Sequence, residues 1–350
     1  MRAYVPLPHG LSASTWAVRH RRGEVPDASP YGLHKLADHG LDVTFGEATL
    51  GRTAGRVADS VRYRTAGLEL VEGLAMARGS RDADVVLAYD ERTGVPATLL
   101  PQHRPTVLGI GWLTHRANAP RIHATLAAKA MQRAAAVFTQ CEPVLPILHR
   151  EWGVPRSRLH FVPVGIDTDF YALQPDPDPG TAVVVSAGED RYRDHALLVA
   201  AVKQVRATIP AIRLELATGL PVDLPGDLGT LYRERMDGRM RDLYRRSGVV
   251  AVALKPTSSG SGLTVVLEAM ASGRPVVVTD NPGVDSYVEH GVTGLLVRPD
   301  DADAFAAAIA ALLSDPARRA EMGAAAALRA RERFTSDVMA ACLAALAKSL

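Results

Sequence analysis

The sequence predicts two α/β domains, each organised on a parallel β-sheet. Three observations carry that reading. At 350 residues the chain is longer than one hydrophobic core usually serves. Apolar runs of strand length alternate with helical stretches along both halves, the pattern of successive βαβ units. The clearest unit, 249–280, reads VVAVALKPTSSGSGLTVVLEAMASGRPVVVTD, in which two apolar runs flank a small-residue loop and a short amphipathic helix. Two buried parallel strands joined by a crossover helix satisfy that pattern. In the helix, Leu263, Val266, Leu267, Met270 and Ala271 recur at helical spacing and form a stripe for the sheet. Thr264 and Glu268 lie one turn apart on the other face. Ser258, Ser259, Gly260, Ser261 and Gly262 precede the helix, and helix-start amides reached through glycines suit phosphate oxygens. A carboxylate one turn further on suits a ribose. The spacing therefore points to a nucleotide-diphosphate site, although the same residues also fit an ordinary βαβ unit whose small residues only make a tight turn. Gly273 stops the helix and Pro275 leads into the next strand.

From the start of the chain, 2–7 reads as a strand ended by prolines, with His9 and Gly10 at its carboxyl end. LSAST follows and suits either a helix start or a loop; the Gly-x-Gly-x-x-Gly of a dinucleotide site is absent. The polar stretch 19–30, RHRRGEVPDASP, reads as a mobile surface loop whose basic cluster at 19–22 is either solvated or a grip on an anionic acceptor. A helix near 31–39, a strand near 41–45 and a helical stretch at 66–78 come next. The apolar run 83–89 is a buried strand ending at Asp90, Glu91 and Arg92. Charge at the carboxyl end of a sheet strand sits where open α/β sheets hold ligands, so Asp90 is either a substrate contact or a helix cap. Strands at 105–112, 136–139 and 159–163 alternate with helices at 124–135 and 143–152. Two Pro-rich turns within 164–180 suggest a linker. Beyond it, strands at 181–187, 212–217 and 294–297 and helices at 195–207 and 239–246 surround the 249–280 unit. Helical stretches at 302–313 and 316–332 and a terminal stretch at 336–350 close the chain.

Composition narrows the class. A hydrophobic share of 47% with a formal charge of +2 describes a globular chain without the electrostatic footprint of a nucleic-acid binder. Cys141 and Cys342 make neither a disulfide framework nor a metal cluster and fit a reducing compartment. No stretch has the length of a membrane span and the N-terminus has no signal-peptide core, so a cytoplasmic location is expected. Association with a membrane surface is not indicated, and no feature fixes an oligomeric state.

From about residue 136 onward the sequence resembles the retaining glycosyltransferases of the GT-B fold, in the large family that includes sucrose synthases and bacterial mannosyltransferases. The resemblance is carried by VPVGIDTDFY, SAGEDRYRDHALLVAAV, SGLTVVLEAMASGRPVVVTDNPGVDSYVEHGVTGLLVRPDD and RERFTSDVMAACLAAL, about the last two-thirds of the chain. It implies two Rossmann-like parallel-sheet domains facing a central cleft: 1–170 for the acceptor, joined by a C-terminal helix at 334–350, and 171–333 for a nucleotide-sugar donor. It implies that Glu268 holds the donor ribose and that Gly262, Leu263 and Thr264 offer amides to the diphosphate or sugar, with Ser261 and Gly188 alongside. Arg193 falls where the family places a cation against the diphosphate, and Arg191 is a second. On the acceptor side His9, Gly10, Asp90 and His115 are the candidates. The implied reaction is glycosyl transfer to a hydroxyl of a small molecule or glycan with retention, using a nucleotide-diphosphate sugar as donor substrate, no cofactor and no metal. Retention through attack on the face the diphosphate leaves from needs no protein nucleophile, and no nucleophile motif is present.

Three departures bear on this. The first of two paired glutamates would fall at Gly260, the asparagine before GID is Val164, and GIGW stands where a histidine often ends a strand near 110, with His115 nearby. The absent glutamate removes one acceptor from the sugar pocket. Either the donor is an atypical or deoxygenated sugar, or Ser259 and Ser261 read the sugar more loosely, or the change is simple drift, or a main-chain contact serves instead. A sugar-nucleotide epimerase or a non-catalytic sugar-nucleotide-binding subunit competes with the transferase. Neither Lys255 nor Lys203 has a pyridoxal-phosphate context.

Overall fold

The computed structural model describes residues 1–100 and 104–350, and its packing divides the chain into two units. The first comprises Met1–Arg21, Asp27–Gly165 and Ser336–Leu350; the second comprises Arg22–Pro26 and Ile166–Thr335.

Six parallel strands form the sheet of the first unit: β1 (Arg2–Pro6), β2 (Asp42–Gly46), β3 (Val85–Ala88), β4 (Thr106–Ile110), β5 (Ala136–Thr139) and β6 (Leu159–Phe161), in the order β2-β1-β3-β4-β5-β6. Strands β3, β4 and β5 are buried throughout, as their unbroken apolar runs require when helices cover both faces. Met339, Ala340, Leu343 and Ala344 of the terminal helix Ser336–Lys348 belong to this unit's core.

The second unit repeats the architecture with β7 (Val183–Ala187), β8 (Arg213–Ala217), β9 (Gly229–Tyr232), β10 (Val249–Val252), β11 (Val276–Thr279) and β12 (Gly294–Val297), all parallel, in the order β12-β11-β10-β7-β8-β9. Its helix starts follow from sequence: Asp194, Asp301 and Asp315 each accept a hydrogen bond from an amide three residues on. The helix Leu263–Ala271 buries Leu263, Val266, Leu267, Met270 and Ala271. It ends with Gly273 at φ +75° and with the amides of Gly273 and Arg274 on the carbonyls of Met270 and Ala269, the paired bonds of a left-handed helix terminus.

In an open parallel sheet, ligands bind beyond the carboxyl ends of the strands where the strand order reverses. Those points fall between β1 and β3 in the first unit and between β7 and β10 in the second.

Several expectations are corrected. The stretch 19–30 is not a solvated loop, since the helix Ala13–Arg21 runs into it and Val25, Asp27 and Ser29 are buried. Asp27 pairs with Lys35 at 3.0 Å and accepts from Ser336, while the Ser29 hydroxyl accepts from the His34 amide, so its polar residues serve internal bonds. The helix near 31–39 is a 3-10 helix, Pro30–Ala37, broken at its start by positive φ at Tyr31 and Gly32. The helical stretch 66–78 reduces to Leu70–Met76, and a preceding helix, Arg52–Arg64, has no counterpart in the sequence reading. That helix buries only Ala58 and so shows no apolar stripe. Strand β9 was missed for a related reason, being a four-residue edge strand that starts on a glycine. The segment 174–180 is pinned rather than loose: buried Arg319 bonds Asp176 at 2.8 Å and the Pro177 carbonyl, and buried Arg274 bonds the Pro175 carbonyl.

Candidate functional site

At the reversal point of the second unit, β7 ends in Ala187 and the chain turns at Gly188, whose φ is +140°. A Cβ there would lie 2.1 Å from Arg193 Nε, so glycine is required for the arginine to fold back over the strand end. Asp190 organises the turn, accepting from the Tyr192 amide at 3.0 Å, from Arg193 Nε at 2.8 Å and from the Ser261 hydroxyl at 2.8 Å. The Arg193 side chain is 7% exposed, and its Nη1 is buried with no hydrogen-bond partner. A buried guanidinium nitrogen left this way costs free energy unless a ligand completes it.

From β10 the chain reaches the helix Leu263–Ala271 through Gly262, which caps it in a left-handed conformation, φ +84°. A Cβ on Gly262 would come within 3.3 Å of Arg193 Nη1, so helix start and guanidinium share one space. Among the described residues the amides of Gly262, Thr264 and Val265 have no partner, while that of Leu263 makes a long 3.4 Å bond to the Gly260 carbonyl. Free amides, the positive helix end and an unpartnered guanidinium converge as an anion site.

One turn on, Glu268 accepts from the Tyr244 hydroxyl at 2.7 Å, and the Tyr171 hydroxyl faces the same carboxyl. Burial pushes this carboxyl up to about 7, opposed by the two hydroxyls and by the charge of Arg193. Gly188, Arg193, Ser261, Gly262, Thr264 and Glu268 are therefore gathered in one place. Leu263 contributes a backbone already partly engaged. Arg191 does not join them: it is exposed, bonds the Tyr192 hydroxyl at 2.8 Å and stacks on that ring at 4.8 Å. The Ser259 hydroxyl is turned to Thr257 at 2.9 Å and that of Ser261 to Asp190, so both serine hydroxyls are committed within the loop.

At the reversal point of the first unit, the His9 amide donates to Glu69 Oε2 at 2.9 Å, and Gly10 follows with φ +83°. Asp90 caps the helix Glu91–Leu99 through the Arg92 amide at 3.0 Å and also takes Arg92 Nε at 3.0 Å. The helix-cap alternative for Asp90 is thus the one realised. Arg92 reaches on to the Tyr31 hydroxyl at 3.2 Å. Glu69 is 3% exposed, and burial pushes it up to about 7 against the His9 amide and the charge of Arg92. Sequence reasoning passed over Glu69 because it sits in an apolar helical stretch with no motif around it. It also passed over Asp190, Tyr171 and Tyr244; an Asp-x-x-Arg step straight after a strand was the available signal for Asp190. His115 is drawn away, pairing with Glu151 at 2.8 Å while nearly half exposed. The GIGW turn is held instead by Glu91, which accepts from the amides of Gly111 and Trp112.

No group of three or more metal-ligating side chains occurs among the described residues, and no helix among them is long and apolar enough to cross a membrane.

Two six-stranded parallel α/β sheets in one chain define a GT-B architecture, and solved structures share it. HepE of Anabaena, solved in complex with UDP and glucose, superimposes with a TM-score of 0.70 at 17% identity, covering 100% of both chains. The sucrose-phosphate synthase of Thermosynechococcus elongatus gives 0.72 at 16%, covering 100% of this chain and 98% of that one. Residues 180–315 match the model of the family described as glycosyl transferases group 1. Among curated relatives, the D-inositol 3-phosphate glycosyltransferase of Pseudarthrobacter chlorophenolicus is 32% identical over 214 residues, 55% of this chain and 50% of that protein. The GDP-mannose-dependent alpha-(1-6)-phosphatidylinositol monomannoside mannosyltransferase of Mycolicibacterium smegmatis is 30% identical over 201 residues, 49% and 51% of the two chains. The chain thus spans about half the length of the curated relatives it matches.

Proposed function

We propose that this protein is a glycosyltransferase that moves a sugar from a nucleotide-diphosphate sugar to a hydroxyl acceptor with retention of configuration. The observation that carries the reading is the unpartnered Nη1 of Arg193 beside the free amides of the helix start, with the Glu268 carboxyl one turn away. The amides of Gly262 and Thr264 and the Arg193 guanidinium hold the diphosphate; Glu268 accepts from the ribose. As the glycosyl bond breaks, charge accumulates on the diphosphate, and a guanidinium already fixed by Asp190 stabilises it without reorganising. The proton of the acceptor hydroxyl passes to a diphosphate oxygen, so no protein base is used. The charge is met by arginine and amides, and the reaction proceeds without metal. The UDP bound in HepE and the glycosyltransferase names of the curated relatives support a sugar-nucleotide donor. The first unit, with His9, Gly10, Glu69 and the Asp90–Arg92 pair at its reversal point, takes the acceptor. Specialised-metabolite or polysaccharide biosynthesis is the setting proposed for it.

The test is a screen of sugar nucleotides against acceptor pools by mass spectrometry, with the anomeric configuration of the product read by NMR. Retained configuration and turnover that survives EDTA are expected. An inverted product, or complete loss of turnover reversed by magnesium, would overturn those parts of the reading. Nucleotide binding with no turnover against any acceptor would instead favour a non-catalytic subunit.

A further inference from the structure

The Glu268 carboxyl does not stand alone. Tyr244 is fully buried, and its hydroxyl donates to Glu268 Oε2 at 2.7 Å. Tyr244 lies in the helix Met240–Arg246, whose last carbonyls need partners, as all helix ends do. Arg274 joins Ser247 there: its Nε bonds the Tyr244 carbonyl at 2.7 Å, which also accepts from the Ser247 hydroxyl at 3.0 Å, and its Nη2 bonds the Arg245 carbonyl at 3.1 Å. Arg274 itself is 0% exposed and follows Gly273 directly, so it is delivered by the terminus of the same helix that carries Glu268. The loop closes on itself, because one helix presents the carboxyl while the residue just past its end grips the helix whose tyrosine fixes that carboxyl. Tyr171 completes the enclosure, meeting the Tyr244 ring edge-on at 6.1 Å.

We infer that Tyr244 is a positioning residue of the donor site: its hydroxyl sets the orientation of the Glu268 carboxyl, and Arg274 sets the place of Tyr244. The inference rests on the proposed role of Glu268 toward ribose. A burial this deep is otherwise an odd use of a tyrosine hydroxyl, since a phenylalanine would pack the same space with no polar group to satisfy. The groups facing Glu268 are Tyr244, Tyr171 and Arg193, all of which favour its charged form.

The experiment compares wild type, Tyr244→Phe and Glu268→Gln with UDP and GDP as probes, by calorimetry from pH 5.5 to 8.5. It adds a ¹³C-carboxyl NMR titration of the glutamates, with Glu268 assigned from its loss in Glu268→Gln. Tyr244→Phe removes a donor to the carboxylate, so the Glu268 midpoint rises, and nucleotide affinity falls about tenfold with its pH dependence displaced upward. A change in packing alone would lower the melting temperature without moving that midpoint. An unchanged midpoint and unchanged affinity in Tyr244→Phe, while Glu268→Gln binds weakly, would overturn the positioning role and leave the ribose reading intact. Full affinity in Glu268→Gln, or no binding of either nucleotide to wild type, would overturn the ribose reading and the inference with it. Arg274→Lys is the second variant: it keeps a charge but loses the fork that spans two carbonyls, and it should move the Glu268 midpoint in the same direction as Tyr244→Phe, by less.

Discussion

The two units share a six-stranded parallel sheet and differ in what each places at the point where strand order reverses. In the second, Arg193 keeps a buried nitrogen without a partner and the helix start keeps amides free. In the first, the polar groups complete one another: Glu69 takes the His9 amide, and Asp90 takes both the amide and the guanidinium of Arg92. The same topology thus yields a site waiting for an anion and a site whose polar groups are already bonded to one another. Topology says where a ligand goes; the unsatisfied groups say what it is.

The sharpest way to break this contrast is to remove the arginine whose nitrogen is left without a partner. Arg193→Ala should weaken nucleoside-diphosphate binding by about 3 kcal/mol, roughly a hundredfold, with a far smaller effect on the bare nucleoside. Calorimetry giving equal losses for both ligands would remove the anion site from the second unit. Glu268→Ala should cost about 1.5–3 kcal/mol of affinity for nucleoside and diphosphate alike, because ribose is common to both.

Titration sharpens the comparison, since each unit holds one glutamate pushed up to about 7 from an ordinary 4.5. A carboxyl whose folded-state pKa is raised binds its proton more tightly when folded. The stability it contributes is complete below about pH 4.5 and is lost as pH rises toward 7. Glu69→Gln and Glu268→Gln should each flatten that decline in chemical-denaturation profiles. Nucleotide affinity should respond to one of them alone, rising as pH passes upward through 7 while Glu268 ionises and remaining so in Glu69→Gln. The smallest effect is expected from Asp90→Ala. Loss of the cap should cost about 1 kcal/mol of stability and leave nucleotide affinity unaltered; a matching loss of affinity would show the first unit taking part in donor binding.

Much of this was legible before any coordinates. The alternation of apolar runs located eleven of the twelve strands among the described residues, and the 249–280 unit exposed its helix start and Glu268 because a small-residue loop, a 3.6-residue stripe and an off-stripe carboxylate are local patterns. The helix Arg52–Arg64 and strand β9 escaped because neither has the buried face that makes a periodicity. The linker reading failed at 174–180 because prolines and aspartates describe a turn-rich stretch whether or not it is free, and Arg319, far along the chain, is what holds it.

Sequence alone determined the elements and their class, since strand and helix periodicity are written in residues within a few positions of each other. Only the tertiary structure decided which charges are spent and which are available. Arg191 and Arg193 are equivalent as letters, yet one stacks on Tyr192 in solvent and the other is folded over Gly188 against Asp190. Asp190 and Ser261, and Tyr244 and Glu268, meet across 71 and 24 residues of chain. A hydrogen bond acts over about 3 Å, so its partners exist only once the sheet has brought the ends of its strands together.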